Sequence, residues 1–214
     1  MSELLFNKQA KQYSASRPTY PGELFQFIVS KTPCYDLAWD VGTGSGQAAR
    51  SLAGVYRNVV ATDTSPKQLE FAVKLPNIRY HLTTPNMSLA EVDQNISAES
   101  TVDLVTSASA MQCEPQAKFV VHDKYRTIEF PFQPVDGLEH TGPFEFKMER
   151  LMDLDGFFTF IKSWSPYQTA KDKGIELLNE DVVQEFTRAW NEDGNPKKIA
   201  TFPIYLRIGK VGNK

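Results

Sequence analysis

In the first half of the chain, apolar residues recur in short runs. Polar or glycine-containing segments separate these runs. The runs at 35–41, 58–63, 77–82 and 101–111 have the length of buried strands, and the later ones are rich in β-branched residues. The segments after the first and second runs show helical spacing instead. Alternation of strand and helix predicts a parallel sheet with helices on its faces.

Three helices are expected around these strands. The first follows a loose polar lead-in broken at Pro18 and Pro21, and it places apolar residues at Leu24, Phe25 and Ile28. The second is the alanine-rich segment from Ala48 to Ala53. The third covers 66–75, where Ser65 can cap the helix and Pro66 suits its first position.

The alternation stops after Met111. A further parallel strand would need a crossover unit of about 30 residues, but 112–132 offers only a short polar link and an alternating apolar run. Downstream, the pattern predicts a strand at 144–152, helices at 153–167 and 179–192, and a last strand at 197–211. The aromatic residues at helical spacing in these helices, Phe157, Phe158, Phe160, Trp164 and Trp190, fit core packing better than an acceptor pocket.

Composition limits the classes of protein that fit. With 214 residues, 41% hydrophobic and 23% charged, the chain predicts one globular domain. A net charge of −3 leaves no basic excess for a phosphate backbone, so nucleic acid is not expected as a partner. Cys34 and Cys113 form no metal-ligand or redox pair, which fits free thiols and a cytoplasmic location. No apolar stretch reaches the ~20 residues of a membrane span.

The most informative segment is Asp40-Val41-Gly42-Thr43-Gly44-Ser45-Gly46, directly after the first strand. Alternate glycines let the backbone turn sharply and approach a ligand closely. Asp63 ends the second strand about twenty residues later, where a doubly wound fold delivers an acidic side chain to a ribose diol. The segment and Asp63 together predict an adenosine-type pocket.

Two other interpretations of the glycines remain open. They can simply form a turn, although the ordered sequence of strand, loop, helix, strand and acid makes that the weaker interpretation. They can also belong to a nicotinamide dehydrogenase, whose fingerprint is GxGxxG. The loop here is GxGxG, preceded by an acid at Asp40, and this spacing favours a sulfonium cofactor over a dinucleotide.

The segments DVGTGSGQAA, ATDTSPKQL and VDLVTSASAM resemble successive motifs of class I S-adenosylmethionine-dependent methyltransferases. The lead YSASRPTYP and the segments YRTIEFPF and GFFTFIKSWSPYQTAKDKG are similar to the type 11 branch, which includes trans-aconitate and farnesoic acid methyltransferase-like proteins. The resemblance implies a Rossmann-like three-layer α/β sandwich with a mostly parallel sheet and an antiparallel C-terminal strand. It also implies S-adenosyl-L-methionine as cofactor and a small-molecule methyl acceptor.

The resemblance assigns roles to named positions. Gly42, Thr43, Gly44 and Gly46 would line the cofactor, Asp63 would accept hydrogen bonds from the ribose hydroxyls, and Asp40 would support the loop from beneath. Two further pairs of residues carry alternatives. Tyr13 and Arg17 match the lead of the family, where Arg17 would pair with the methionine carboxylate; the alternative is that Arg17 is a surface charge. Ser107 and Ala108 would approach the transferable methyl group; the alternative is that they only pack the end of the strand.

The chain departs from the family after the fourth strand. There the family continues into an aromatic segment, a helix and a fifth strand, whereas this chain runs from Met111 into Cys113-Glu114-Pro115. We therefore expect one methyltransferase domain over 1–214, with a cofactor-binding half at 1–112, a shortened acceptor or lid half at 113–214, and one central strand missing. An absent strand would leave backbone donors and acceptors without partners.

The expected function is methyl transfer to a small molecule, with a carboxylate as one candidate acceptor. No metal or general base is required when the acceptor is already ionised at pH 7, and no catalytic residue is nominated, since the three histidines show no ligand spacing. The alternative is a catalytically impaired protein that still binds the cofactor. A membrane partner is not expected, and a monomer is favoured.

Overall fold

The four apolar runs of the first half form one parallel sheet in the computed structural model, which describes residues 20–110 and 122–212. The strand order is β3-β2-β1-β4. Parallel register pairs Ala38 with Val59, and Asp40 with Thr106. The strands are β1 (Leu37–Val41), β2 (Asn58–Asp63), β3 (Ile78–Leu82) and β4 (Leu104–Thr106).

Helices alternate with these strands, as the pattern predicts. They are α1 (Gly22–Ser30), α2 (Gln47–Ala53), α3 (Pro66–Glu70) and α4 (Leu89–Asn95). The predicted apolar positions Leu24, Phe25 and Ile28 of α1 are buried. The alanines of α2 allow it to lie close to the sheet, where Ala49 and Leu52 are fully buried. Burial of such apolar surface stabilises a fold by about 25 cal/mol per Å².

Two of these helices differ from the prediction. The helix expected at 66–75 ends at Glu70. The Ala72 N–H donates to the Leu69 carbonyl at 3.3 Å, which tightens the last turn, and the Lys74 ammonium donates to the same carbonyl at 3.0 Å. The polar stretch after β3 contains α4, which was not predicted. Its signal is a capping box, in which Ser88 and Glu91 each accept a hydrogen bond from the backbone N–H of the other.

The second half contains a pair of strands and three helices. These elements are β5 (Phe144–Asp153), α5 (Leu154–Lys162), α6 (Ser165–Asp172), α7 (Glu180–Asn191) and β6 (Lys197–Leu206). The helix predicted at 153–167 is two helices, because Pro166 starts α6 and cannot continue the hydrogen bonding of α5. Strands β5 and β6 form an antiparallel two-stranded sheet, so the C-terminal strand pairs with β5.

The chain divides into two compact units. One contains residues 148–202, and within it the aromatic rings predicted to pack do contact one another. Phe157 lies 5.4 Å from Trp190, and Phe160 lies 5.5 Å from Trp164, between ring centroids. The other unit contains 19–147 and 203–214 and includes the whole parallel sheet. A single domain with halves at 1–112 and 113–214 stays a prediction.

Among the described residues, β4 pairs with β1 on one side and with no strand on the other. The strand has only three residues, and Ser109 leaves extended geometry soon after it, at φ +57°. Val105 is exposed. The chain is expected to depart from the family at 112–132, and residues 112–121 of that segment lie outside the described residues. A missing central strand therefore stays a prediction. Within the described ranges, no helix is long and apolar enough to cross a membrane.

Candidate functional site

The glycine loop between β1 and α2 adopts backbone geometry that favours glycine. Gly42, Gly44 and Gly46 have φ values of +66°, +59° and +84°. A side chain at any of them would cost about 1–2 kcal/mol in backbone strain alone. The loop is fixed to the neighbouring strand because the Thr43 N–H donates to the Thr62 carbonyl at 2.9 Å.

The three glycines differ in what surrounds them. A Cβ on Gly42 would overlap the Cβ of Ala110, and a Cβ on Gly46 would overlap the hydroxyl of Tyr80. At Gly44 the nearest atoms to such a Cβ are glutamine side-chain oxygens, both 3.9 Å away. Two of the glycines are therefore required by the protein's own packing, whereas a Cβ on Gly44 would make only ordinary van der Waals contacts.

Asp63 lies at the end of β2 and faces the loop. Its Oδ2 accepts the Gly44 N–H at 2.8 Å, and its Oδ1 accepts the Ser65 N–H at 2.8 Å. Both oxygens are therefore held in place by backbone donors, and each keeps capacity for a further hydrogen bond. The side chain is half-buried rather than enclosed. The predicted acid and the predicted loop thus form one continuous site.

Asp40 lies beneath the loop and is fully buried. Its Oδ2 accepts from the Thr43 hydroxyl at 2.6 Å, and its Oδ1 accepts from the Thr106 hydroxyl at 2.7 Å. Burial raises the pKa of Asp40, and the hydrogen bonds from Thr43 and Thr106 oppose that shift without cancelling it. The side chain joins the loop to β4. Its support of a cofactor site stays a prediction.

Tyr80 packs against the loop from β3. Its hydroxyl donates to the Val73 carbonyl at 3.0 Å, and the Lys74 ammonium lies 4.4 Å from its ring centroid. Burial, with a smaller contribution from the negative charge of Asp40, raises the pKa of Tyr80 to about 12. The phenol therefore stays protonated at neutral pH and keeps its hydrogen bond. Sequence reasoning did not assign Tyr80 to the site, because its role depends on contact with Gly46.

The remaining predicted site residues are placed less decisively. Ser107 is exposed just after β4, and Ala108 is partly buried and packs against the hydrophobic core. An approach of these residues to a transferable methyl group stays a prediction. Tyr13 and Arg17 lie outside the described residues. The site that the structure assembles therefore consists of Asp40, the glycine loop and Asp63, with Tyr80 in support.

Comparison with known proteins points to one family. Residues 39–128 match a family model described as a methyltransferase domain. This match spans both the glycine loop and Asp63.

A chain from Anaeromyxobacter dehalogenans, described as a "putative type II methyltransferase", is similar in structure with a TM-score of 0.67. The two chains are 23% identical, and the similarity covers 91% of this chain and 97% of that one. The fold is that of the Rossmann-like methyltransferases. The parallel strands and the glycine loop lie in the first half of this chain.

Two sequence relatives agree with that assignment. A Dictyostelium discoideum protein named "putative methyltransferase" is 26% identical over 254 aligned positions, covering 96% of this chain and 94% of the relative. An Aspergillus candidus methyltransferase is 34% identical over 109 residues, which is 46% of this chain and 33% of that protein. The chain is thus similar in sequence to proteins named as methyltransferases.

Proposed function

We propose that this protein is an S-adenosyl-L-methionine-dependent methyltransferase that acts on a small molecule, with a carboxylate as the first candidate acceptor. The observation that carries the proposal is the pairing of Gly44 with Asp63. An anchored carboxylate and a glycine that packing does not require lie side by side at the ends of adjacent strands β1 and β2. Ligands of doubly wound sheets bind at the carboxyl ends of the strands.

The residues fit the nucleoside part of the cofactor. The space beside Gly44 would be filled by a Cβ in any other residue, so the backbone can be approached closely there. Asp63 provides acceptor oxygens for the two ribose hydroxyl donors. The backbone N–H groups that hold Asp63 fix its orientation before a ligand arrives, which lowers the entropic cost of binding.

When bound, S-adenosylmethionine supplies a methyl carbon activated by sulfonium, which an acceptor oxygen takes as the thioether leaves. The chain's own contribution is alignment and exclusion of water. Asp40, through Thr43 and Thr106, holds the loop and the end of β4 in fixed relation. A carboxylate acceptor is ionised at pH 7 and needs no general base, so no residue is assigned that role.

The alternative function is cofactor binding without turnover, and a specific observation favours it. Among the described residues β4 lacks a strand on its second side. The alignment with the Dictyostelium relative also runs over 254 positions, more than the 214 residues of this chain. The relative therefore has segments without counterpart here. A reduced acceptor wall would leave the cofactor site formed and the acceptor site incomplete.

Transfer of an isotope-labelled methyl group separates the two functions. The purified 214-residue protein would be incubated with labelled cofactor and a panel of small carboxylic acids, with matched amides and alcohols as controls. Labelled ester that disappears in Asp63→Ala supports the enzyme. Saturable binding of S-adenosylhomocysteine without product from any acceptor supports the binding protein. A folded protein that does not bind S-adenosylhomocysteine contradicts both.

A further inference from the structure

Gln68 has a buried acceptor that the fold does not use. The residue lies in α3, one turn after Asp63, and is 4% exposed. Its backbone N–H donates to the Ser65 hydroxyl, but its side-chain Oε1 is buried without a hydrogen-bond partner in the structure. Buried polar atoms of this kind are few in native proteins, and each points to a water, an ion or a ligand.

The position of this oxygen favours a ligand. Oε1 of Gln68 lies 3.9 Å from the point that a Cβ on Gly44 would occupy. A ligand that packs against Gly44 on the side where a Cβ would project would therefore pass close to Oε1, which can accept a hydrogen bond from a hydroxyl. Gly44 also donates its N–H to Asp63, so the orphan oxygen and the Asp63 carboxylate flank the same glycine.

We propose that Gln68 is a second acceptor for the ribose diol of the cofactor, beside Asp63. This inference rests on the proposed function, since it needs a nucleoside in the site. A diol carries two hydroxyl donors, and Asp63, which keeps acceptor capacity beside its two backbone N–H groups, and Gln68 can each accept one of them. A neutral amide oxygen adds an acceptor without placing a second negative charge next to Asp63. Gln68 thereby becomes a determinant of specificity for ribose over deoxyribose.

The test compares ligands that differ by one hydroxyl. Binding of S-adenosylhomocysteine and of its 2′-deoxy and 3′-deoxy counterparts is measured by isothermal titration for the wild type, Gln68→Met and Gln47→Met. Methionine keeps the length of glutamine and removes the acceptor. Gln47 is the matched control, because its Oε1 is also 3.9 Å from the position that a Cβ on Gly44 would occupy. It differs from Gln68 in that its Nε2 donates to the Ser45 hydroxyl and its Oε1 is not a buried atom without a partner.

We expect Gln68→Met to weaken binding of S-adenosylhomocysteine about fivefold, as for one net hydrogen bond. One of the two deoxy ligands should bind equally to the wild type and to Gln68→Met, because it lacks the hydroxyl that donates to Gln68. Gln47→Met should change all three affinities by one common factor. Thermal unfolding checks that each variant is folded, and Gln68→Asn, which withdraws the amide by one methylene, replaces Gln68→Met if that variant does not fold.

Two results overturn the inference. If Gln68→Met changes all three affinities by the same factor, including no change, Oε1 binds an internal water or stays unpaired, while the proposed function stands. If the folded wild type binds none of the three ligands, the proposed function fails together with the inference. The two failures are distinguished by whether the wild type binds S-adenosylhomocysteine.

Discussion

The Asp63 carboxylate accepts the backbone N–H of Gly44 at 2.8 Å, across 19 residues of sequence. The bond ties the end of β2 to the one glycine of the loop that the protein's own packing does not require. A ligand that displaces the loop would therefore also displace the acid. In the proposed site the two residues act as one unit, and changes at either residue should affect cofactor binding.

The first prediction separates the three glycines. Gly42→Ala and Gly46→Ala should each lower the free energy of unfolding by about 2–4 kcal/mol, from positive-φ strain plus overlap with Ala110 or Tyr80. Gly44→Ala should cost only about 1–2 kcal/mol, for backbone strain. Urea unfolding of the three variants measures these differences.

Ligand binding should rank the same variants differently. Gly44→Ala should weaken S-adenosylhomocysteine binding about tenfold or more, equivalent to about 1.4 kcal/mol or more, because its methyl group would keep the ligand away from the loop backbone. The solvent-exposed Gly174, which has φ +75° and no atom within 4 Å of a built Cβ, offers a matched control for strain. Gly174→Ala should lose similar stability and keep full affinity; equal loss of affinity in both would contradict the assignment of Gly44.

The second prediction concerns the hydrogen bond between Thr106 and Asp40. Thr106→Val keeps the shape of the side chain but removes the donor to a fully buried carboxyl. The loss should destabilise the protein by about 1–3 kcal/mol, the cost of an unsatisfied buried acceptor. Thr201→Val, at an exposed position of β6, should change stability by less than about 0.5 kcal/mol. Indistinguishable unfolding midpoints for the two variants would show that Asp40 does not depend on Thr106.

The third prediction is a pH dependence caused by Asp40. Because burial raises the folded-state pKa of Asp40 above its ordinary value of 3.8, its contribution to stability is fully present below that value and is lost as pH rises through the raised pKa. Asp40→Asn does not titrate. The free energy of unfolding of the wild type minus that of Asp40→Asn should therefore fall as the pH rises above about 4. A difference that is constant or that rises with pH contradicts the raised pKa.

Much of the first half could be predicted from the sequence because its signals are local. Strand runs, the glycine loop and the terminal acid Asp63 each follow from a few adjacent residues. The strand order and the register that pairs Asp40 with Thr106 are long-range features. For that reason the support that Thr106 gives to Asp40 appeared only in the structure.

Other features were missed for identifiable physical reasons. The capping box at Ser88 was visible in the sequence but lay in a polar stretch without apolar periodicity. The break at Pro166 was masked by continuous aromatic spacing on both sides. The different surroundings of Gly42, Gly44 and Gly46 depend on Ala110 and Tyr80, which belong to other elements. No pattern within the loop distinguishes one glycine from another.

In the proposed function, Gly44 and Asp63 form an adenosine site for a methyl donor. The most direct measurement is isothermal titration of S-adenosylhomocysteine and NAD into the wild type, Asp63→Ala and Asp103→Ala. Asp103 is the matched control, because its carboxylate also accepts two backbone N–H groups, those of Asp36 and Leu37, near the opposite end of β1.

We expect the wild type to bind S-adenosylhomocysteine but not NAD. Asp63→Ala should weaken that binding at least about tenfold, as expected for loss of hydrogen bonds to a charged group, while Asp103→Ala loses stability and retains affinity. Binding of NAD in preference, or equal affinity in Asp63→Ala and the wild type, would contradict the account.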